Sequence, residues 1–206
     1  MLVIVDYGLG NLGSIVNMAT RLGAKPVVSS DHDILRAADK LIIPGVGAFD
    51  RGMQNLRERG LVDVLSQKAL DERVPVLGLC LGMHLFTRGS EEGSEPGLGW
   101  LDADTVRFQF AGNDGNLKVP HMGWNEVGGR RPHYLLDDGD EERRYYFVHS
   151  FHVVCSDPEL VVGETMYGYP FSSIVARDNI VGVQFHPEKS HRYGMALLRN
   201  FIDHAA

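Results

Sequence analysis

Apolar positions in the first 90 residues alternate between two rhythms. Short continuous runs at Leu2–Val5 and at residues 26–28, 41–43 and 74–79 read as strands buried on both faces. Between them apolar residues recur at helical spacing: Ile15, Met18, Ala19 and Leu22; residues 33–39; Met53, Leu56, Leu61, Val64 and Leu65; then Met83, Leu85 and Phe86. This strand–helix alternation predicts an α/β fold. Its open, mostly parallel or mixed central sheet is flanked by helices, with functional loops at the strands' C-terminal ends. The second half changes rhythm. Residues 106–110, Val119, and residues 145–149, 152–155, 174–176 and 180–185 are short β-type runs between turns, which predicts antiparallel strands added to the same sheet. Tyr193, Leu197, Leu198, Phe201 and Ile202 mark a closing amphipathic helix. No linker, repeat or low-complexity tract intervenes, so residues 1–206 are expected to form a single domain.

Charge and cysteine content narrow the function classes. The net charge is −7 with acids and bases interspersed, which argues against nucleic acid and anionic membrane surfaces as partners. The one dense acidic run, Asp137, Asp138, Asp140, Glu141 and Glu142, reads as a solvated loop. Two cysteines, Cys80 and Cys155, are too few for a disulfide framework. The first residues lack a signal-peptide pattern and no stretch approaches about 18 apolar residues, so a cytoplasmic protein is expected.

The chemistry concentrates at Gly78-Leu79-Cys80-Leu81-Gly82, between a strand and a helix. Gly-x-nucleophile-x-Gly in that context is a nucleophile elbow with cysteine as the nucleophile. The turn strains the nucleophile's backbone and demands small neighbours. It also stands the side chain at a helix N-terminus, where the dipole favours thiolate and free N–H groups can hold an oxyanion. The plainer reading of Cys80 is a buried core thiol. A base is available: the run at 180–185 delivers His186-Pro187-Glu188, in which His186 can take the thiol proton and Glu188 can fix its tautomer. The plainer reading there is a His-Pro surface turn. His149 and His152 fall in one β-type run, where i and i+3 face opposite sides, and His121, His133 and His191 show no ligand spacing. No metal and no cofactor are expected. A rival remains in Gly8-x-Gly10-x-x-Gly13 with Asp31 downstream, which matches a dinucleotide fingerprint but places Asp6 against the pyrophosphate and leaves Cys80 and His186 unexplained.

Cys80 in its elbow and His186/Glu188 in Gln-Phe-His-Pro-Glu together resemble the triad (class I) glutamine amidotransferases. Asp6-Tyr-Gly-Leu-Gly-Asn11, Pro44-Gly-Val-Gly-Ala-Phe49, Lys118-Val-Pro-His-Met-Gly-Trp-Asn125, Tyr146-Phe-Val-His-Ser150 and His186-Pro-Glu-Lys-Ser190 are similar, in order, to the glutaminase subunits of imidazole glycerol phosphate synthases. That resemblance implies attack of Cys80 on L-glutamine, a glutamyl thioester, and an oxyanion hole from Leu81 N–H with an N–H of Val46 or Gly47. It implies Gly45, His84, His149 and Ser150 in the glutamine pocket. It also implies Asn11, Trp124, Tyr146 and Lys189 facing a (β/α)8 cyclase subunit. That partner, in a heterodimer, uses the ammonia to make imidazole glycerol phosphate and an aminoimidazole carboxamide ribonucleotide in histidine biosynthesis.

Two departures keep alternatives open. The family carries Gln where this chain has His84, four residues after the nucleophile and on the same helix face. A neutral imidazole cannot copy an amide's donor and acceptor, and a protonated one would repel or mimic the base; a non-catalytic scaffold is therefore a second reading. Residues 97–101 and 189–195 look more like a paralogous branch that supplies ammonia for sugar amidation in surface-polysaccharide synthesis. A thiol peptidase of the same fold is a further alternative.

Overall fold

In the computed structural model, residues 1–110, 117–136 and 142–204 are described. The strands are β1 (Leu2–Val5), β2 (Val27–Ser29), β3 (Lys40–Ile43), β4 (Val76–Leu79), β5 (Ala103–Arg107), β6 (His121–Glu126), β7 (Gly128–Gly129), β8 (Arg144–His149), β9 (Phe151–Cys155), β10 (Val161–Tyr167), β11 (Tyr169–Arg177) and β12 (Ile180–Val183). The helices are α1 (Leu12–Arg21), α2 (His32–Arg36), α3 (Phe49–Glu58), α4 (Leu61–Ser66), α5 (Leu81–Leu85) and α6 (His191–Asp203). One sheet runs β2-β1-β3-β4-β12-β11-β10-β7, with β9 on β11 and β5 on β9; β6 and β8 pair separately. The first five strands of that order are parallel and the rest antiparallel. The α/β class with antiparallel strands added late is therefore the architecture observed, and five parallel strands in 2-1-3-4-5 order are the flavodoxin-like arrangement.

The parallel strands are apolar on both faces because helices cover both. Val3, Val5, Leu41 and Ile43 pack with Phe49, Met53, Leu56 and Trp100 on one side. Ile4, Ile42, Leu77, Val181 and Val183 pack with Ile15, Leu197 and Phe201 on the other. Gly78 and Gly182 sit opposite each other in the β4–β12 register. A Cβ on the first would lie 2.5 Å from the Phe86 ring and one on the second 2.3 Å from Met83 Cγ, so these two glycines let α5 settle directly on the sheet. The turn that carries Cys80 is thereby drawn down onto the strand ends.

Several boundaries differ from the sequence pattern. The apolar stretch from Met53 to Leu65 is two helices, because Gly60 takes φ 66° and turns the chain between α3 and α4. Asp31 caps α2, accepting from Asp33 N at 2.9 Å and Ile34 N at 3.1 Å, so the acid of the dinucleotide fingerprint is spent on its own helix. Val119 lies outside any strand, whereas β10, which carries no clear alternation, forms the longest pairing with β11. The acidic run falls mainly at 137–141, outside the described residues; Glu142 pairs with Arg144 at 3.8 Å. Among the described residues no helix is long and apolar enough to cross a membrane.

Candidate active site

The ends of β1, β3, β4 and β12 meet at the C-terminal edge of the parallel strands, where the strand order reverses between β1 and β3. Such a switch point opens a crevice by topology alone. Cys80 lies there at φ 51° and ψ −108°, a strained left-handed conformation for a residue with a Cβ. Its N–H donates to Val183 O at 2.8 Å, so the strain is held by the neighbouring strand. Gly82 follows the sulfur because a Cβ there would stand 1.9 Å from Ile43 O. Cys80 therefore sits on the elbow that the sequence pattern predicts, 7% exposed. The N–H of Leu81, first in α5, has no partner inside the helix.

His186 follows β12 on a turn of 3₁₀ helix, Pro187–Lys189. Its Nδ1 lies 2.9 Å from Glu188 Oε1, and both side chains are only 3% exposed. Burial alone lowers the pKa of His186, but hydrogen bonds and charge from Cys80 and Glu188 outweigh it and push it up to about 10. The imidazole is thus held as an imidazolium between the Cys80 sulfur and the Glu188 carboxyl group. Ser190, fully buried, clamps this turn to β8: its Oγ donates to His186 O at 2.6 Å and accepts from Tyr146 N at 2.9 Å. His186 N also donates to Tyr146 O at 2.9 Å.

A cleft of about 290 Å³ opens over the sulfur, lined by Val46, Gly47, Cys80, Leu81, His84, His149, Ser150, His186 and Lys189 among others. A larger depression of about 790 Å³ lies beside Arg130, Arg131 and Arg143 and contains none of these groups. In the loop after β3, Gly45 is buried and Val46 is half exposed. Tyr7, fully buried, donates its hydroxyl to Pro44 O at 2.5 Å and so fixes the Pro44–Gly45 peptide. Its phenol is held far above the ordinary range by burial and by the nearby Cys80. Gly47 takes φ 125°, open to glycine and closed to other residues, which leaves the peptides after Gly45 the freer ones.

His84 borders the cleft, and burial holds its pKa down at about 4, so it is neutral rather than a competing base. His149 lines the cleft, yet both ring nitrogens are engaged: Nδ1 lies 2.8 Å from Phe151 O and Nε2 lies 3.0 Å from His121 Nδ1. It forms a wall, with no free ring nitrogen for a ligand. His149 and His152 are not in one strand, because the chain bends at Ser150; both rings pack on Phe108, at 5.2 and 4.6 Å. His121, silent in the sequence, is buried on the same aromatic cluster. Among the described residues no group of His, Cys, Asp or Glu is arranged to hold a metal ion.

Four residues at the cleft were not legible in advance. Glu92 brings a carboxylate to the rim and accepts from Phe49 N at 2.9 Å; it lies in an acidic, aperiodic loop. Tyr7, Ser190 and Gln184 act through tertiary contacts, although Gln184 stands two residues before His186, a spacing that puts both on one side of an extended chain. The outer face of the β6–β8 pair carries Met122 (62% exposed) and Trp124 (41% exposed). Trp124 is opposite Tyr146 in register and stacks on His191 at 5.5 Å, and Lys189 Nζ lies 5.8 Å over the Tyr146 ring. Asn11, exposed, precedes α1 on the loop whose Gly10 packs against Pro44.

The family model for glutamine amidotransferase class-I matches residues 3–205. The imidazole glycerol phosphate synthase subunit HisH 2 of Pseudomonas aeruginosa is 50% identical over 203 residues, covering 98% of this chain and 99% of its own. The subunit of the same name from Methanococcus maripaludis is 49% identical over 205 residues, covering 100% of both chains. The HisH subunit of Sulfurimonas denitrificans is 46% identical over 202 residues, 98% of this chain and 97% of its own. Among solved structures, PurLQS from Thermotoga maritima superposes with a TM-score of 0.76 at 17% identity, covering 98% of this chain and 97% of that one.

Proposed function

From a chain that belongs to the class-I glutamine amidotransferase family, we propose a glutaminase subunit of imidazole glycerol phosphate synthase. It releases ammonia from L-glutamine for a (β/α)8 cyclase partner in histidine biosynthesis, and residues 1–206 act as one amidotransferase domain. The observation that carries this reading is the Cys80 sulfur on its strained elbow, paired with an imidazolium whose far nitrogen holds a buried carboxylate at 2.9 Å.

The chemistry follows from those positions. The Cys80 thiolate attacks the side-chain amide carbon of glutamine, and the carbonyl oxygen becomes an oxyanion. Leu81 N–H and an N–H of Val46 or Gly47 receive it; one such donor is worth about 10²–10³ in rate. His186 gives its proton to the departing nitrogen, the C–N bond breaks, and ammonia leaves with a glutamyl thioester on Cys80. The neutral His186 then takes a proton from water, whose oxygen attacks the thioester. Collapse of the second oxyanion expels the Cys80 thiolate, His186 keeps the proton taken from water, and the product sheds its remaining carboxyl proton to solvent as glutamate. Glu188 keeps the ring's tautomer and stabilises the imidazolium at both stages. Glu92 at the rim suits the substrate ammonium, and the Ser150–Phe151 backbone suits its carboxylate.

The partner docks on the face formed by Met122, Trp124, Tyr146 and Lys189, with Asn11 at its edge. Exposed Trp and Met side chains with a half-buried Tyr are the composition of a protein interface core, and Lys189 stands beside them over the Tyr146 ring. Because Tyr146 is hydrogen-bonded to His186 and Ser190, that face is one residue from the triad. Against the scaffold alternative stands the assembled set of Cys80, His186 and Glu188 around the cleft. Acid quenching during turnover of glutamine, followed by intact-mass analysis, tests the mechanism. A glutamyl adduct on the wild-type chain that is absent from Cys80→Ala is expected; equal glutamate formation by both chains would overturn the assignment.

A further inference from the structure

One buried amide lies between the nucleophilic sulfur and His84. Gln184 is fully buried just beyond β12. Its Nε2 lies 3.8 Å from Cys80 Sγ and its Oε1 lies 2.8 Å from His84 Nε2. The direction of such an amide is fixed by what its neighbours can do. In the reading above the Cys80 sulfur attacks as a thiolate, which only accepts, so the NH₂ end that lies 3.8 Å away faces it. The oxygen end then faces His84, which must donate. A neutral His84 has one N–H, so that proton sits on Nε2 and is used on Gln184.

We infer that Gln184 is a positioning residue that donates a hydrogen bond to the Cys80 sulfur, and that His84 acts through it by locking the amide in the donating orientation. The inference rests on Cys80 as the nucleophile, the reading given above, and goes beyond it by giving two buried side chains a role in the reactivity of the thiol. It also reassigns His84. The residue four positions after the nucleophile, expected to hold glutamine, has its only donor engaged on Gln184 and retains a single acceptor, Nδ1. The histidine is then a replacement that tunes the nucleophile, and the substrate is held from the other walls of the cleft.

The remaining titratable groups around the sulfur are His186 with Glu188 on the turn after β12, and Tyr7 at the end of β1. Glu92, His149 and Lys189 stand on the cleft walls. All are untouched by the variants that test the idea. The measurement is the pH dependence of Cys80 alkylation by iodoacetamide in the full chain, with Cys155→Ser removing the other thiol. Gln184→Met keeps the length of the side chain and removes its N–H. It is expected to raise the apparent thiol pKa by about one unit, the worth of a hydrogen bond to a charged group. His84→Met frees the amide to turn and raises it by about half as much. His84→Gln, which can still donate to Gln184 Oε1, stays within about 0.3 unit of wild type. A Gln184→Met profile that superimposes on wild type, in a chain with native near-ultraviolet dichroism, overturns the inference. Should that variant fail to fold, indistinguishable profiles for His84→Met and His84→Gln overturn it instead. Variants that show these shifts, with a wild-type chain that hydrolyses no glutamine with its partner, overturn the functional reading and leave the hydrogen-bond relay standing.

Discussion

The nucleophile and its base are built in different ways. Cys80 is placed mainly by local sequence, a strand, a strained turn, two glycines and the first turn of α5, with its N–H tied to Val183 O of the neighbouring strand. His186 is placed by its own turn, through Glu188 and Ser190, and by contacts from far along the chain, through Tyr146 and the sulfur itself. The histidines differ in the same sense. His186 is held charged, pushed up to about 10, whereas burial holds His84 and His121 down at about 4 and His149 well below its ordinary value. A local turn is enough to present a nucleophile, but a charged imidazole in a dry site also needs a tertiary frame that buries its local carboxylate, Glu188, against it.

The largest expected effect breaks that frame at one atom. Glu188→Gln leaves the shape but removes the charge that fixes the His186 tautomer, and glutamate formation in steady-state assays should fall by roughly 10⁴-fold, as for other triads that lose their acid. Next comes acid stability, which separates the two kinds of histidine. Unfolded His84 takes up a proton below about pH 6.5, while the folded group resists until about 4, so stability falls as pH drops through that window. The contribution of His84 is on the order of 3 kcal/mol, and urea unfolding should show His84→Gln losing less stability than wild type between those pH values. The signs are opposite for His186: its raised pKa contributes stability below about pH 6.5 that is lost as pH climbs through about 10. Smaller again is the partner face. Trp124→Ala should weaken association with the cyclase about 10- to 100-fold by calorimetry, the usual range for an aromatic anchor.

The same division explains what the chain reveals when read as letters. The strand runs, the elbow, and the His186-Pro187-Glu188 turn are local, and their spacing carries them. The parallel half was legible for that reason, since each strand is a continuous apolar run. β10 was not, because Gly163 and Glu164 break its alternation at register shifts. Gln184, Tyr7, Ser190 and the His121–His149 pair were hidden because each acts across 28 or more residues of chain. The bend at Ser150, which puts His149 and His152 on one aromatic cluster, has no signature in a β-type run.

The link between the docking face and the triad is the central claim, and one measurement reaches it. Glutamate release from L-glutamine is followed for the purified chain alone and with the (β/α)8 cyclase subunit of the same organism. Tyr146 and Ser190 tie the two regions together, so slow release alone and a rise of at least about 10²-fold with the partner, the worth of one oxyanion-hole donor, are expected. Release that is equally fast without the partner, or absent with it, would contradict the account.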